Sequence, residues 1–195
     1  MSAPLHAIFG RPLDAPTPPG FEEAVFGMGC YWGVERLFWE QPGVWLTEAG
    51  FAGGTTEAPT YAQVCAGDTG HAEVVRLQFD PAQVSARELL EIFFCIHDPT
   101  TPNRQGNDVG PQYRSGVYFE DPQHAELARD IIHSLERDGG LGAPVVTEVL
   151  PLHNYSAAED YHQDYFAHNP HQGYCAYVVG PKVEKFRKTF AQYLK

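Results

Sequence analysis

From residue 22 onward, segments that alternate polar and apolar residues take turns with segments whose apolar residues recur at helical spacing, and this succession constrains the fold most. Ala72 to Phe79 alternates most strictly and reads as a strand; Glu22 to Met28 and Val44 to Ala52 are further strand candidates. Between those two, Tyr31 to Glu40 carries Val34, Leu37 and Phe38 on one helical face and is stopped by Pro42-Gly43. Ser85-Ala86-Arg87-Glu88 is a capping box that opens a helix running to Ile96, with Leu89, Leu90, Phe93 and Phe94 as its apolar set. Asp121-Pro122 opens another, which buries Ala125, Ala128, Ile131, Ile132 and Leu135 and closes at Gly139-Gly140. Two β-α-β stretches in so short a chain predict an α+β fold. The expected form is a two-layer α/β sandwich with a ferredoxin-like, split β-α-β core and long loops, the longest from Gly53 to Gly70.

A chain of 195 residues has room for one domain with a real core, expected over residues 22–195. Residues 1–21 are punctuated by Pro and Gly and lack a basic stretch followed by an apolar core, so they read as an exposed N-terminal arm rather than a signal peptide. Hydrophobic residues make up 43% and no unbroken apolar run is long enough for a membrane span, which together with the arm makes the cytoplasm the expected compartment. The net charge of −12 repels phosphate backbones and anionic membranes, so neither nucleic acid nor membrane is an expected partner. Near the end of the chain, Lys182, Lys185, Arg187, Lys188 and Lys195 lie opposite Val183, Phe186, Phe190 and Leu194 at helical spacing, which reads as the solvated face of a packed terminal helix.

Cysteines at 30, 65, 95 and 175 are too sparse for a disulfide scaffold, and reduced thiols in such a compartment tend to be catalytic or redox-sensing. Cys30, within Gly27-Met28-Gly29-Cys30-Tyr31-Trp32-Gly33, falls where a strand turns into a helix. Unpaired backbone N–H groups and the helix dipole there favour a thiolate, and Tyr31-Trp32 would wall it with aromatic rings. On its own, the position suits a small buried cysteine equally well. Glu73 shares the inward strand face with Val75, Leu77 and Phe79. A carboxyl so placed has its pKa raised and can donate a proton near neutral pH, unless it turns to solvent or pairs with Arg76 or Arg114. The polar stretch from Arg104 to Ser115 has the density of hydrogen-bonding groups found in site-lining loops, and Asn107-Asp108 with Gly110-Pro111 is equally good turn chemistry. Cys175 sits in a Gly-containing polar segment from which it could swing toward another sulfur.

Gly29-Cys30-Tyr31-Trp32-Gly33-Val34-Glu35, Gly67-Asp68-Thr69-Gly70-His71-Ala72-Glu73, Arg104-Gln105-Gly106-Asn107-Asp108 and Gln112-Tyr113-Arg114-Ser115 together closely resemble the peptide methionine sulfoxide reductase A family, from about Phe26 to Cys175. The resemblance implies a reductase of the S epimer of methionine sulfoxide, free or in proteins, that repairs oxidised proteins, binds no metal or organic cofactor and is recycled by thioredoxin. It implies Cys30 as nucleophile, Glu73 as acid, and Tyr61 and Tyr113 as hydrogen-bond donors to the sulfoxide oxygen. It further implies Trp32 with Tyr31 as the pocket for the sulfur's methyl group, Asp108 as a polar neighbour, Tyr165 as a further pocket tyrosine, and Cys175 as the thiol that resolves the Cys30 sulfenic acid to a disulfide. Tyr31 departs from the family's usual Phe, and no cysteine follows Cys175, which implies a two-cysteine cycle. Cys95 is then expected in the core, and Cys65 as a structural thiol. Two other classes are weaker: a zinc module built from His162, His168 and His171 lacks paired ligands at short spacing, and a cysteine hydrolase with His71 as base leaves Glu73, Tyr113 and Cys175 without a role.

Overall fold

A computed structural model describes residues 3–173 together with 181 and 184; Cys175 and the basic C-terminal stretch lie outside the described residues. The elements that position the site are β1 (Glu22–Met28), α1 (Tyr31–Phe38), β2 (Val44–Ala52), α2 (Tyr61–Ala66), β3 (Ala72–Phe79) and α3 (Ala86–Ile96). They are followed by a two-residue hairpin, β4 (Arg104–Gln105) and β5 (Asp108–Val109), then β6 (Ser115–Phe119), α4 (Pro122–Arg137), β7 (Glu148–Pro151), β8 (Ser156–Ala157) and α5 (Tyr165–His168). The three main strands fall where alternation predicts them. Ser85 and Glu88 form the expected reciprocal cap of α3, and Asp121 caps α4.

The central sheet has the order β7-β6-β1-β3-β2-β8, with every pairing antiparallel except β6 with β7. The fold is therefore mixed α/β around a mostly antiparallel sheet. One face carries Phe26, Phe51, Val75, Leu77 and Phe79 and is covered by α1, α3 and α4 through Val34, Phe38, Leu89, Phe93 and Ala128. The other face presents Val25, Ala52, Val74 and Tyr118 beneath Leu152 and Tyr155. β3 is central and buried along its length except at Arg76, so Glu73 must find an interior environment.

Three expectations need correction. The stretch from Gly53 to Gly70 contains α2, held by a capping box between Thr60 and Gln63 that short-range pattern alone left unread. The arm is not simply exposed: His6 and Leu13 are buried, Arg11 donates to the Trp45 carbonyl, and the Gln78 amide donates to the Ala15 carbonyl. Cys95 and Cys65 are both exposed rather than packed, because Leu89, Leu90, Ile92, Phe93 and Phe94 take the inward positions of α3 and Val64 is the buried residue of α2.

Candidate active site

Cys30 is the residue preceding α1, at the end of β1 through Gly29, and is half-buried. Gly29 has φ +90, and a Cβ there would lie 2.8 Å from the Gln105 Cβ, so only glycine makes this turn beneath the β4–β5 hairpin. The first N–H of α1, that of Tyr31, donates to Glu73 Oε2 at 3.1 Å. Alternation along β3 thus delivers Glu73 to the start of the helix that Cys30 opens. The carboxyl is 1% exposed. Burial pushes it up to about 8, opposed by the Tyr31 N–H and reinforced by the charge of Asp108 on β5. Neither arginine considered as its ion-pair partner reaches it: Arg76 pairs with Glu48 at 3.2 Å, and Arg114 pairs with Glu148 at 3.0 Å.

Two phenols share this electrostatic neighbourhood. Tyr113 ends the short turn Pro111–Tyr113, and burial together with the charges of Glu73 and Cys30 pushes its hydroxyl above the ordinary phenol range. Tyr61 is the first residue of α2; burial is again the main cause of its upward shift, helped by a hydrogen bond to Cys65 and the charge of Glu73. Both hydroxyls therefore stay protonated, which makes them donors.

The aromatic wall is built on Trp32. Tyr165, from α5, stacks on it at 3.8 Å between ring centroids and 9° between planes. The Trp32 Nε1–H donates to His162 Nδ1 at 3.1 Å, and the His162 ring also packs against Tyr31 at 5.4 Å and Tyr61 at 4.3 Å. Tyr31 is 1% exposed, and its hydroxyl has no hydrogen-bond partner among the described residues. Burial, then Glu73, raises that hydroxyl far above the phenol range.

Pattern reading missed two members of the site. His162, considered only as a metal ligand, is the ring that joins Tyr31, Trp32 and Tyr61, and burial lowers its basicity. Glu159 accepts the Tyr61 N–H at 2.9 Å and so fixes the start of α2. Its three-residue spacing from His162 places both on one side of the short turn Asp160–His162, a signal that gains meaning only once Trp32 is seen beside it. His71, the conceivable base of a hydrolase, is spent elsewhere: its Nδ1 accepts the Gly54 N–H at 3.3 Å and its Nε2 donates to the Thr56 carbonyl at 2.7 Å. Among the described residues, the close group of metal-type ligands is His6, Glu35 and Asp164 rather than His162, His168 and His171.

The family model for peptide methionine sulfoxide reductase matches residues 22–194. The chain is 51% identical over 178 residues to the peptide methionine sulfoxide reductase MsrA of Ralstonia nicotianae, an alignment covering 89% of this chain and 93% of that one. Among solved structures, methionine sulfoxide reductase A of Corynebacterium diphtheriae matches with a TM-score of 0.78 at 44% identity, over 90% of this chain and 85% of that one. Mxr1 of Saccharomyces cerevisiae in reduced form matches with a TM-score of 0.74 at 32% identity, over 81% and 91%. The same yeast protein in complex with Trx2 matches with a TM-score of 0.54 at 21% identity, over 78% and 90%.

Proposed function

The chain belongs to the peptide methionine sulfoxide reductase A family and is an oxidoreductase acting on methionine sulfoxide, and from that premise we propose how its residues divide the work. The observation that carries the reading is Glu73, a buried carboxyl held at the N-terminus of Cys30's helix and raised to about 8. At pH 7 such a group is roughly nine-tenths protonated.

A sulfoxide oxygen leaves poorly until it is protonated. Glu73 supplies that proton, while the Tyr61 and Tyr113 hydroxyls donate hydrogen bonds to the same oxygen and Asp108 helps keep Glu73 neutral. The Cys30 thiolate attacks the sulfoxide sulfur, forming an S–S bond as the protonated S–O bond breaks and the oxygen leaves as water. Water then attacks the Cys30 sulfur, giving up a proton, and the S–S bond breaks with its electron pair going to methionine, which departs and leaves Cys30 as a sulfenic acid. Trp32 and Tyr165, with Tyr31 behind, take the methyl group on sulfur. Cys175 then condenses with the sulfenic acid, forming a Cys30–Cys175 disulfide and releasing water, and a dithiol reduces that disulfide by exchange. We assign thioredoxin as the reductant; the Mxr1 complex with Trx2 supports it. No bound cofactor or metal enters this cycle, and its substrates are free methionine S-sulfoxide and oxidised proteins.

Residues 22–195 are read as one catalytic domain behind the arm of residues 1–21, supported by the family match from 22 to 194. The order β6-β1-β3-β2, with α1 and α3 on one face, supports reading its centre as a split β-α-β core. Among the described residues no helix is long and apolar enough to cross a membrane, and we place the enzyme in the cytoplasm, a reading that the bacterial relatives support. Separate incubation of the reduced protein with the S and R epimers of methionine sulfoxide tests the reading: methionine is expected from the S epimer alone, and release from the R epimer alone, or from neither, contradicts it.

A further inference from the structure

The arm crosses the domain to reach a buried polar cluster. It folds on itself between His6 and Arg11, where the Gly10 N–H donates to the His6 carbonyl and the His6 N–H to the Arg11 carbonyl, each at 2.8 Å. His6 Nδ1 accepts the Ile8 N–H at 3.1 Å, so the ring proton sits on Nε2. That nitrogen donates to Thr47 Oγ1 at 2.7 Å; Asp164 Oδ1 lies 2.8 Å from it but accepts no hydrogen bond among the described residues. The other Asp164 oxygen accepts the Ala7 N–H at 2.5 Å. Glu35, on α1, closes the cluster: its Oε1 accepts from the Thr47 hydroxyl at 3.1 Å, and its Oε2 accepts the Asp164 N–H at 3.0 Å. His6, Glu35 and Asp164 are each at most 1% exposed.

Asp164 is also the residue on which α5 starts. Its backbone is left-handed at φ 52, a conformation that is strained for a non-glycine residue and persists only where surroundings impose it. In that conformation its carbonyl accepts the Ala167 and His168 N–H groups at 2.8 and 3.2 Å. α5 has four residues, too few to hold itself in water, so its position depends on what fixes its first turn. Gln163 fixes one side through both backbone groups of Ala49, and the arm with Glu35 fixes the other. The next residue is Tyr165, the ring stacked on Trp32.

We propose that the N-terminal arm belongs to the substrate pocket, with His6 a positioning residue: its ring, bonded to Thr47, seats the arm so that the Ala7 N–H holds Asp164 in its left-handed turn and thereby keeps Tyr165 against Trp32. The arm lies before the family match, which begins at residue 22. The inference rests on the reading of Trp32 and Tyr165 as the methyl pocket. A positioning residue of this kind acts on substrate affinity more than on bond breaking, because Glu73 comes from β3 and meets Cys30's helix at the Tyr31 N–H, whereas the arm's cluster meets that helix at Glu35, beyond its first turn.

The test is KM and kcat for methionine S-sulfoxide in the full chain, measured for His6→Ala in the parent and in a Tyr165→Ala background. The expected result is a rise in KM of about tenfold with kcat within about threefold in the parent, and almost no further rise once Tyr165 is gone. His6→Gln, whose amide can still donate toward Thr47, should recover most of the affinity. If His6→Ala does not fold, Asp164→Ala, which removes the oxygen that accepts the Ala7 N–H, carries the same expectation. An unchanged KM, or the same rise in both backgrounds, overturns the proposal. Failure of the parent to turn over the sulfoxide at all would instead contradict the proposed function.

Discussion

Glu73 and Tyr31 meet through a single hydrogen bond, the Tyr31 backbone N–H donating to Glu73 Oε2 at 3.1 Å, and that contact puts a buried acid at the start of the helix that Cys30 opens. A helix N-terminus favours a negative charge and burial opposes it; at Glu73 burial wins, leaving the carboxyl at about 8. The same helix end that favours a thiolate on Cys30 therefore has a neutral acid beside it, the pairing that sulfoxide reduction needs.

The reductive step should follow that carboxyl. The rate of methionine release in a single turnover is expected to be flat below about pH 8 as far as Glu73 governs it, and to fall above. Glu73→Gln should slow it by about 10²–10⁴ at neutral pH and remove the alkaline fall. A Glu73→Gln rate equal to the parent's would take Glu73 out of the acid role.

Stability should carry the opposite mark of the same group. Glu73 ionises near 4.5 when unfolded and near 8 when folded, so between those values the folded state holds the extra proton and the contribution of Glu73 to stability falls as pH rises. Glu35, raised to about 8 by burial and by Asp164, adds to the effect. Glu73→Gln should therefore gain stability relative to the parent progressively from pH 4.5 to 8, by a few kcal/mol, and no further beyond. Chemical denaturation across that range measures it; a difference that shrinks with pH contradicts the assignment.

His162→Phe keeps a ring among Tyr31, Trp32 and Tyr61 and deletes the acceptor of the Trp32 Nε1–H. Removing the acceptor of a partly buried donor costs about 1–3 kcal/mol. The variant should lose stability by that amount and raise KM for the sulfoxide several-fold while retaining kcat. A KM equal to the parent's would mean that Trp32 is oriented by stacking alone.

Gly29→Ala should be more damaging than its size suggests. The backbone has φ +90, and the new Cβ would meet the Gln105 Cβ at 2.8 Å, so either Cys30 or the β4–β5 hairpin must shift. Destabilisation of about 1–3 kcal/mol with a loss of methionine release is expected; a fully active and equally stable variant would show that the turn has slack.

Much of this was legible in the residues. Alternation along β3 identified Glu73 as an inward carboxylate, and the strand-to-helix position of Cys30 marked a thiol set at a helix N-terminus. Less legible were features that exist only across long separations. Glu159 reaches Tyr61, His162 reaches Trp32, and His6 reaches Asp164 from the far end of the chain, and no local pattern encodes such pairs. Cys95 and Cys65 were misread because a cysteine's burial depends on which helical face turns inward, and Leu89, Leu90, Phe93 and Val64 had already claimed those faces. The arm was misread because Pro and Gly punctuation describes its backbone and says nothing of one histidine buried beneath it.

A two-thiol cycle between Cys30 and Cys175 is tested by counting free thiols and released methionine after mixing reduced protein with excess methionine S-sulfoxide in the absence of a recycling reductant. One methionine and the loss of two thiols per chain are expected in the parent. In Cys175→Ser one methionine is expected, with Cys30 trapped as its sulfenic acid. Release of no methionine by the parent, or the loss of two thiols in Cys175→Ser just as in the parent, would contradict that cycle.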